Sequence, residues 1–135
     1  MERRVTFPLL PEAPSRARAV VGEELASLSR KVREDATLLV SELITNAVRH
    51  APLSERPEVE LRIRSEPGRV RIVVSDPGVG FVPSPRATAG SDGSGWGLYL
   101  VDRIADRWGV LTEEQTEVWF EIDLGEARPG DRSAS

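Results

Sequence analysis

Residues 59–74 read VELRIRSEPGRVRIVV, and this stretch decides the fold class. Apolar β-branched residues and leucine alternate with mostly charged residues on both sides of Glu66-Pro67-Gly68. Alternation with a period of two predicts strands with one buried face, and a Pro-Gly pair between two such runs predicts a turn. The stretch is therefore predicted to be an antiparallel hairpin whose apolar face needs a second layer to cover it.

A strand and two helices are predicted before the hairpin. Val5, Phe7 and Leu9 alternate with polar residues and predict a strand, which Pro8 and Pro11 place at a sheet edge. The first helix is predicted to begin at a Ser15 cap, with a weak break at Gly22 and apolar positions at Ala19, Val20, Leu25 and Leu28. The second is predicted from about residue 30 to residue 51, with an apolar stripe of Val32, Ala36, Leu39, Val40, Leu43 and Ala47.

A long loop, a helix and two strands are predicted after the hairpin. Residues 76–97 hold more than half of the glycines and three of the ten prolines, which predicts a functional loop. Residues 98–105 are predicted to be a helix, and residues 108–111 and 118–122 are predicted to be strands. The order β-α-α-β-β-loop-α-β-β predicts an α/β two-layer sandwich of helices and a mixed, mostly antiparallel sheet.

Composition narrows the possible functions. The 135 residues suit one domain, predicted over residues 1–124, with a disordered tail at 125–135. A net charge of −4 disfavours nucleic acid and membrane surfaces as partners. No run approaches the roughly 18 apolar residues of a membrane span, and the start has no apolar leader, so a cytoplasmic protein is expected.

Missing residue types exclude several mechanisms. The chain has no cysteine, which removes disulfides, thiolate nucleophiles and zinc-thiolate sites. His50 is the only histidine, so clustered histidine ligation of a metal is excluded. Lys31 is the only lysine, and it lies in neither a P-loop nor the strand motif of eukaryotic-type protein kinases.

Three polar residues follow one another at helical spacing in the second helix. Glu42, Asn46 and His50 are four residues apart and drift by only about 80° around the helix. Asn46 offers a carbonyl oxygen of the kind that Mg²⁺ accepts when phosphates fill most other positions, and Glu42 can accept a proton. This row suits phosphoryl transfer, although the spacing alone is explained more simply by a solvated helix face.

Two glycine motifs follow. Asp76 ends an apolar strand and is followed by Gly78 and Gly80, which suits a carboxylate that receives an exocyclic amine from a flat ligand but is equally typical of a tight turn. The run GSGWG at residues 93–97 leads into the predicted third helix. Free backbone N–H groups and the positive end of a helix dipole meet there, which favours a phosphate site over a mobile linker.

Together, the three motifs resemble the N, G1 and G2 boxes of the GHKL ATPase and kinase superfamily, whose members have the Bergerat ATP-binding fold. The resemblance covers about residues 3 to 124. The chain's size and the form SGWG at residues 94–97 resemble the small bacterial anti-sigma factor serine/threonine kinases. Those proteins bind a sigma factor and phosphorylate an anti-anti-sigma protein of the STAS type.

The resemblance implies a role for each motif residue. It implies that Asn46 holds Mg²⁺, that Glu42 is the base toward a seryl or threonyl hydroxyl, and that Asp76 accepts the adenine amino group of ATP. Residues 81–92 are implied to form a lid. The other ATP-binding residues that it implies are Gly78, Gly80, Gly93, Ser94, Gly95, Gly97 and Leu98.

The resemblance also implies partners, namely a sigma factor and a STAS protein, and a possible homodimer through the first strand. A non-catalytic, nucleotide-binding anti-sigma module is the alternative function. The catalytic domain of a two-component histidine kinase is a third, and it would have to act on another chain because the only histidine lies in the N box.

One position departs from the family pattern. The family usually carries threonine immediately before the V-x-F run of its last strand, where this chain has Glu117, and Thr116 lies one residue earlier. A one-residue offset in a strand turns a side chain to the other face. The sequence therefore predicts either a weaker nucleotide site or a shifted turn that restores Thr116.

Overall fold

Five strands and three helices make up the part of the chain that the computed structural model describes, which is residues 2–49, 57–76, 96–112 and 115–125. In chain order these elements are β1 (Glu2–Pro8), α1 (Ala13–Glu24), α2 (Arg30–Arg49), β2 (Glu58–Glu66), β3 (Arg69–Asp76), α3 (Trp96–Ile104), β4 (Arg107–Thr112) and β5 (Thr116–Asp123). The predicted order of elements is confirmed. The predicted tail from residue 126 onward lies outside the described residues.

The strands form one sheet in the order β1-β2-β3-β5-β4. All four described pairings are antiparallel. The sequence predicts a mixed, mostly antiparallel sheet, and the described strands contain no parallel pair. β1 lies at an edge, as its prolines predict, and β5 is inserted between β3 and β4. The two-layer α/β sandwich is confirmed, with the helices packed against one face of this sheet.

The hairpin provides the centre of the core. In β2 and β3, the apolar residues that alternate with charged ones are the buried ones, and Phe120 of β5 is fully buried beside them. α2 covers these strands with the predicted stripe, to which the structure adds Ile44. Ser29 caps the start of this helix, because its hydroxyl oxygen accepts a hydrogen bond from the Val32 backbone N–H at 3.2 Å.

The prediction for α1 is wrong at its start and at one of its apolar positions. The helix begins at Ala13, and Ser15 lies within it, where its hydroxyl donates to the Glu12 carbonyl oxygen at 3.1 Å. Proline is tolerated in a first helical turn because no backbone N–H is needed there, so Pro14 does not delay the helix. Ala19 is exposed, whereas Val20, Leu25 and Leu28 belong to the core or pack against it.

Two further details of the helices differ from the predictions. α1 continues through Gly22, because one glycine weakens a helix without ending it. α3 begins at Trp96, two residues before the predicted start. α2 is described as far as Arg49, and its predicted end at residue 51 lies outside the described residues. The buried residues of α1 are Ala13, Ala17 and Val21.

The sheet face opposite the helices is charged, and Glu121 lies at the centre of its largest ion-pair network. Its carboxylate accepts hydrogen bonds from Arg107 Nε at 2.7 Å and from an Arg71 terminal nitrogen at 2.9 Å. The Arg71 guanidinium also lies over the Trp119 ring, 4.3 Å from its centroid. The ring occupies space that Gly109 leaves open, since a Cβ atom there would lie 2.6 Å from Trp119 Nε1.

Glu121 is expected to make folding stability depend on pH. The hydrogen bond from Arg107 lowers the pKa of Glu121, with a smaller contribution from Arg71, and outweighs the opposite effect of burial. A carboxylate with a lowered pKa stabilises the fold above its ordinary value of 4.5, and this contribution is lost as the pH falls through the pKa of the folded state. We expect Glu121→Gln to lower the unfolding free energy at pH 7 by about 1.5 kcal/mol.

Urea unfolding of both proteins at pH 7 and pH 3 checks this expectation. The stability difference between Glu121→Gln and the unsubstituted chain should shrink at pH 3. The exposed Glu34, paired with Arg30 within α2, provides a control in Glu34→Gln, which should stay close to the unsubstituted chain at both values. A difference for Glu121→Gln that is the same at both pH values would contradict the assignment.

Candidate functional site

One end of the sandwich carries the starts of α3 and β5 and the ends of α2 and β3, as a cleft at the other end indicates. At the opposite end, a cleft of about 390 Å³ is lined by the first turn of α2, Ile104 at the end of α3, and residues 122–125 at and after the end of β5. α2 therefore starts at this cleft and runs away from it, toward the end of the sandwich where β5 starts. The end of β3 and the start of α3 lie at this same end, because β3 is antiparallel to β5 and α3 ends at the cleft.

Asp76 and Thr116 are register partners at this end of the sheet. Asp76 is the last residue of β3, and Thr116 is the first residue of β5. Both lie on the helix-facing side, since Asp76 follows Val74 and Thr116 precedes Val118 by two residues, and both valines are buried. Thr116 is only 4% exposed, and Asp76 is half-buried. The two side chains belong to one cross-strand pair that faces the helices.

The strand register shows which of Thr116 and Glu117 faces the helices. Glu117 pairs with Ser75 in the register, and its side chain lies on the charged face away from the helices. Thr116 lies on the face that carries Asp76, although it is one residue early by the family pattern. Its place beside Asp76 follows from the register between β3 and β5, which no local sequence pattern predicts.

Glu42 and Asn46 lie one turn apart in the second half of α2. Both are half-buried, and the buried Leu43 and Ala47 follow them in the sequence, so the polar row lies beside the apolar stripe as predicted. Within the described residues, neither side chain forms a hydrogen bond or an ion pair.

Asn46 fits the single-ligand site that the sequence predicts for Mg²⁺. Its amide oxygen is a hard ligand, and it is partly exposed on the last turns of α2. Mg²⁺ in nucleotide sites is held by few protein groups and takes its remaining ligands from phosphates and water. The donor chemistry of this end of the molecule is therefore compatible with a phosphate-bound magnesium ion.

The N-terminus of α3 is the described part of the predicted phosphate site. The helix begins at Trp96 and includes Gly97 in its first turn, where backbone N–H groups have no partner within the helix. Leu98 is 3% exposed and belongs to the core, together with Val101. The side chain of Leu98 therefore anchors the start of the helix, and only its backbone can serve a phosphate.

The remaining predicted site residues lie outside the described residues. They are Gly78, Gly80, Gly93, Ser94 and Gly95, together with His50 and the predicted lid at residues 81–92. Their roles stay predictions.

The comparisons with known proteins agree with this architecture. The chain matches the family model described as a histidine kinase-like ATPase domain over residues 7–122. A solved structure of the RsbU and RsbW domains of Rv1364c from Mycobacterium tuberculosis has a similar fold, with a TM-score of 0.70 and 19% sequence identity. The match covers 90% of this chain and 31% of that chain, so this chain spans under a third of that protein's length.

The search of curated proteins finds no match. Among the helices that the structure describes, none combines the length and apolar character needed to cross a membrane.

Proposed function

Because the chain belongs to the family of histidine kinase-like ATPase domains, we propose that it is an ATP- and Mg²⁺-dependent protein serine/threonine kinase acting as an anti-sigma factor. In this proposal it binds a sigma factor and phosphorylates an anti-anti-sigma protein of the STAS type. Family membership supports the ATPase or kinase chemistry in general. The protein substrate, the hydroxyl acceptor and the sigma factor are the proposed part.

The observation that carries the proposal is the pair formed by Asp76 and Thr116 at the end of the sheet where α2 carries Glu42 and Asn46. A carboxylate and a hydroxyl side by side can recognise an adenine edge, because the carboxylate accepts from the exocyclic amine. A carboxylate and an amide oxygen one helical turn apart can serve the reacting end of the same ligand. These are two different chemical tasks, and the fold brings their residues to one end.

Each described residue has a distinct task in the proposed reaction. Asp76 orients the adenine, and the first turn of α3 donates backbone N–H groups to the phosphates. Asn46 holds Mg²⁺, which when bound neutralises phosphate charge during transfer. Glu42 accepts the proton of the seryl or threonyl hydroxyl that attacks the terminal phosphate.

The proposal extends to the organisation of the protein. Residues 1–124 form one kinase domain that works in the cytoplasm. The exposed edge of β1 is the proposed contact of a homodimer, since this strand lies at the edge of the sheet. These points have their own tests, in sedimentation velocity for the dimer and limited proteolysis for the domain boundary.

Replacement of Asp76 by alanine is expected to weaken ATP binding by roughly ten- to a hundredfold, the effect of losing one hydrogen bond to a charged group. Calorimetric titration with ATP in the presence of Mg²⁺ measures this change. Glu34→Ala is a suitable control, because Glu34 is exposed near the start of α2, at the opposite end of the molecule. Unchanged ATP affinity in Asp76→Ala would remove the adenine site from the proposal.

Phosphotransfer tests the partner assignment. Labelled ATP, Mg²⁺ and the purified chain are incubated with candidate STAS proteins, and the phosphorylated residue is identified by mass spectrometry. The proposal expects label on a serine or threonine of a STAS protein. Label on histidine would favour the catalytic domain of a histidine kinase instead.

A further inference from the structure

An ion pair crosses three strands on the sheet face opposite the proposed nucleotide site. The carboxylate of Glu117 in β5 accepts a hydrogen bond from a terminal nitrogen of Arg62 in β2 at 3.2 Å. The hydroxyl of Ser75 in β3, the strand between them, donates to the same oxygen at 3.4 Å. Both long side chains are only 25% exposed. The contact therefore ties β2, β3 and β5 together through side chains.

The sheet geometry makes this contact specific to the residues present. Strands two places apart are separated by about 9.6 Å, so only two long side chains can meet across the middle strand. Ser75 is the register partner of both Glu60 and Glu117, and its small side chain leaves room for the pair to pass over it. A larger residue in place of Ser75 would block this path.

Arg62 depends on Glu117 for its hydrogen bonding. Its Nε atom lies 3.1 Å from a Glu60 oxygen, yet it is the one buried side-chain nitrogen or oxygen without a hydrogen-bond partner in the described part of the chain. The bond to Glu117 is the hydrogen bond that the described residues provide to this guanidinium. Loss of the Glu117 carboxylate would therefore release both ends of the contact.

Glu117 is also the residue that follows Thr116 at the start of β5. Thr116 is held there by backbone pairing with Asp76 on one side and with Thr112 on the other. The first residue of a strand opens more readily than its centre, because fewer interactions hold it. The side-chain contact from Glu117 to Arg62 is a further restraint on this end of β5.

We propose that Glu117 and Arg62 are positioning residues for the nucleotide site, holding Thr116 beside Asp76 from the opposite face of the sheet and thereby setting the affinity for the adenine nucleotide. This inference rests on the proposed function. When the restraint is lost, the start of β5 opens more often and a smaller fraction of molecules presents Thr116 correctly. The apparent dissociation constant rises in inverse proportion to that fraction.

A double-mutant cycle on Thr116 separates this role from a general effect on stability. ATP is titrated with Mg²⁺ into the unsubstituted chain, Glu117→Ala, Thr116→Val and the double variant. Alanine removes the oxygen that accepts from Arg62 and Ser75. We expect Glu117→Ala to weaken binding by about three- to tenfold, and to cause no further weakening when Thr116 is already valine. Glu66→Ala serves as the matched control, since Glu66 pairs with Arg69 on the same sheet face at the far end of the hairpin.

Arg62→Gln gives the same test from the β2 side and is used if Glu117→Ala does not fold. Equal affinities of Glu117→Ala and the unsubstituted chain overturn the inference while leaving the proposed function intact. An equal loss in the Thr116→Val background also overturns it, because the effect then does not pass through Thr116. Absence of ATP binding by the unsubstituted chain overturns the proposed function and this inference together.

Discussion

Substitution of Asn46 by alanine is expected to lower Mg²⁺-dependent phosphotransfer at least about a hundredfold, because a metal ion contributes several kcal/mol to stabilising the charge of the transition state. The amide oxygen of Asn46 is the proposed Mg²⁺ ligand, and alanine removes this oxygen while keeping the helix. Rates are measured at saturating ATP over a range of Mg²⁺ concentrations. A higher requirement for Mg²⁺ should accompany the loss.

Thr45→Ala is the matched control for Asn46. Thr45 is the preceding residue on α2, and its hydroxyl donates to the Ser41 carbonyl oxygen at 2.7 Å within the helix. Its replacement tests whether any change on this turn disturbs transfer. We expect Thr45→Ala to retain a rate close to that of the unsubstituted chain. Asn46→Ala with an unchanged rate and an unchanged Mg²⁺ requirement would show that the metal is not held by this residue.

Glu42→Gln is expected to lower phosphotransfer by about a hundred- to ten-thousandfold while ATP affinity stays the same, since a general base contributes this much to the rate. Glutamine keeps the size and the hydrogen-bonding oxygen of Glu42 but cannot take up the proton of the attacking hydroxyl. Single-turnover transfer and calorimetric titration measure the two quantities separately. A parallel loss of ATP affinity would indicate a binding role for Glu42 instead.

The same variant distinguishes the kinase from the non-catalytic module. A module that uses nucleotide only to shape a partner surface has no need of a base, so Glu42→Gln should leave all of its inhibition of a sigma factor in place. A kinase that controls a STAS protein should lose the ability to inactivate that protein. Transcription assays with the sigma factor and the STAS protein, each added in turn, separate these outcomes.

The hairpin and the long helix could be predicted from the sequence because their signals are local. The strands around Pro67-Gly68 alternate apolar with mostly charged residues, and the apolar stripe of α2 from Val32 to Ala47 repeats at helical spacing over about four turns. The start of α1 could not be predicted from the same rules. Ser15 is a good capping residue, but Pro14 is acceptable inside a first turn, and packing of Ala13 and Ala17 decides between the two starts.

The candidate site shows the same division between local and long-range signals. Glu42 and Asn46 share one helix, so their spacing alone predicts that they lie together. The pairing of Asp76 with Thr116 depends on the register between β3 and β5, which are separated by a loop, a helix and another strand. The contact of Arg62 with Glu117 joins strands that are not even neighbours in the sheet, and no sequence pattern indicates it.

The central claim is that the end of the sandwich carrying Asp76 and Thr116 is an adenine nucleotide site, and calorimetric titration of the unsubstituted chain with ATP and with GTP tests it most directly. In the proposed site, Asp76 accepts a hydrogen bond from the amino group of adenine, whereas guanine has a carbonyl oxygen at the corresponding position, which a carboxylate repels. The account predicts saturable one-to-one binding of ATP, stronger with Mg²⁺ than without it, and much weaker binding of GTP. No binding of ATP, or equal binding of ATP and GTP, would contradict it.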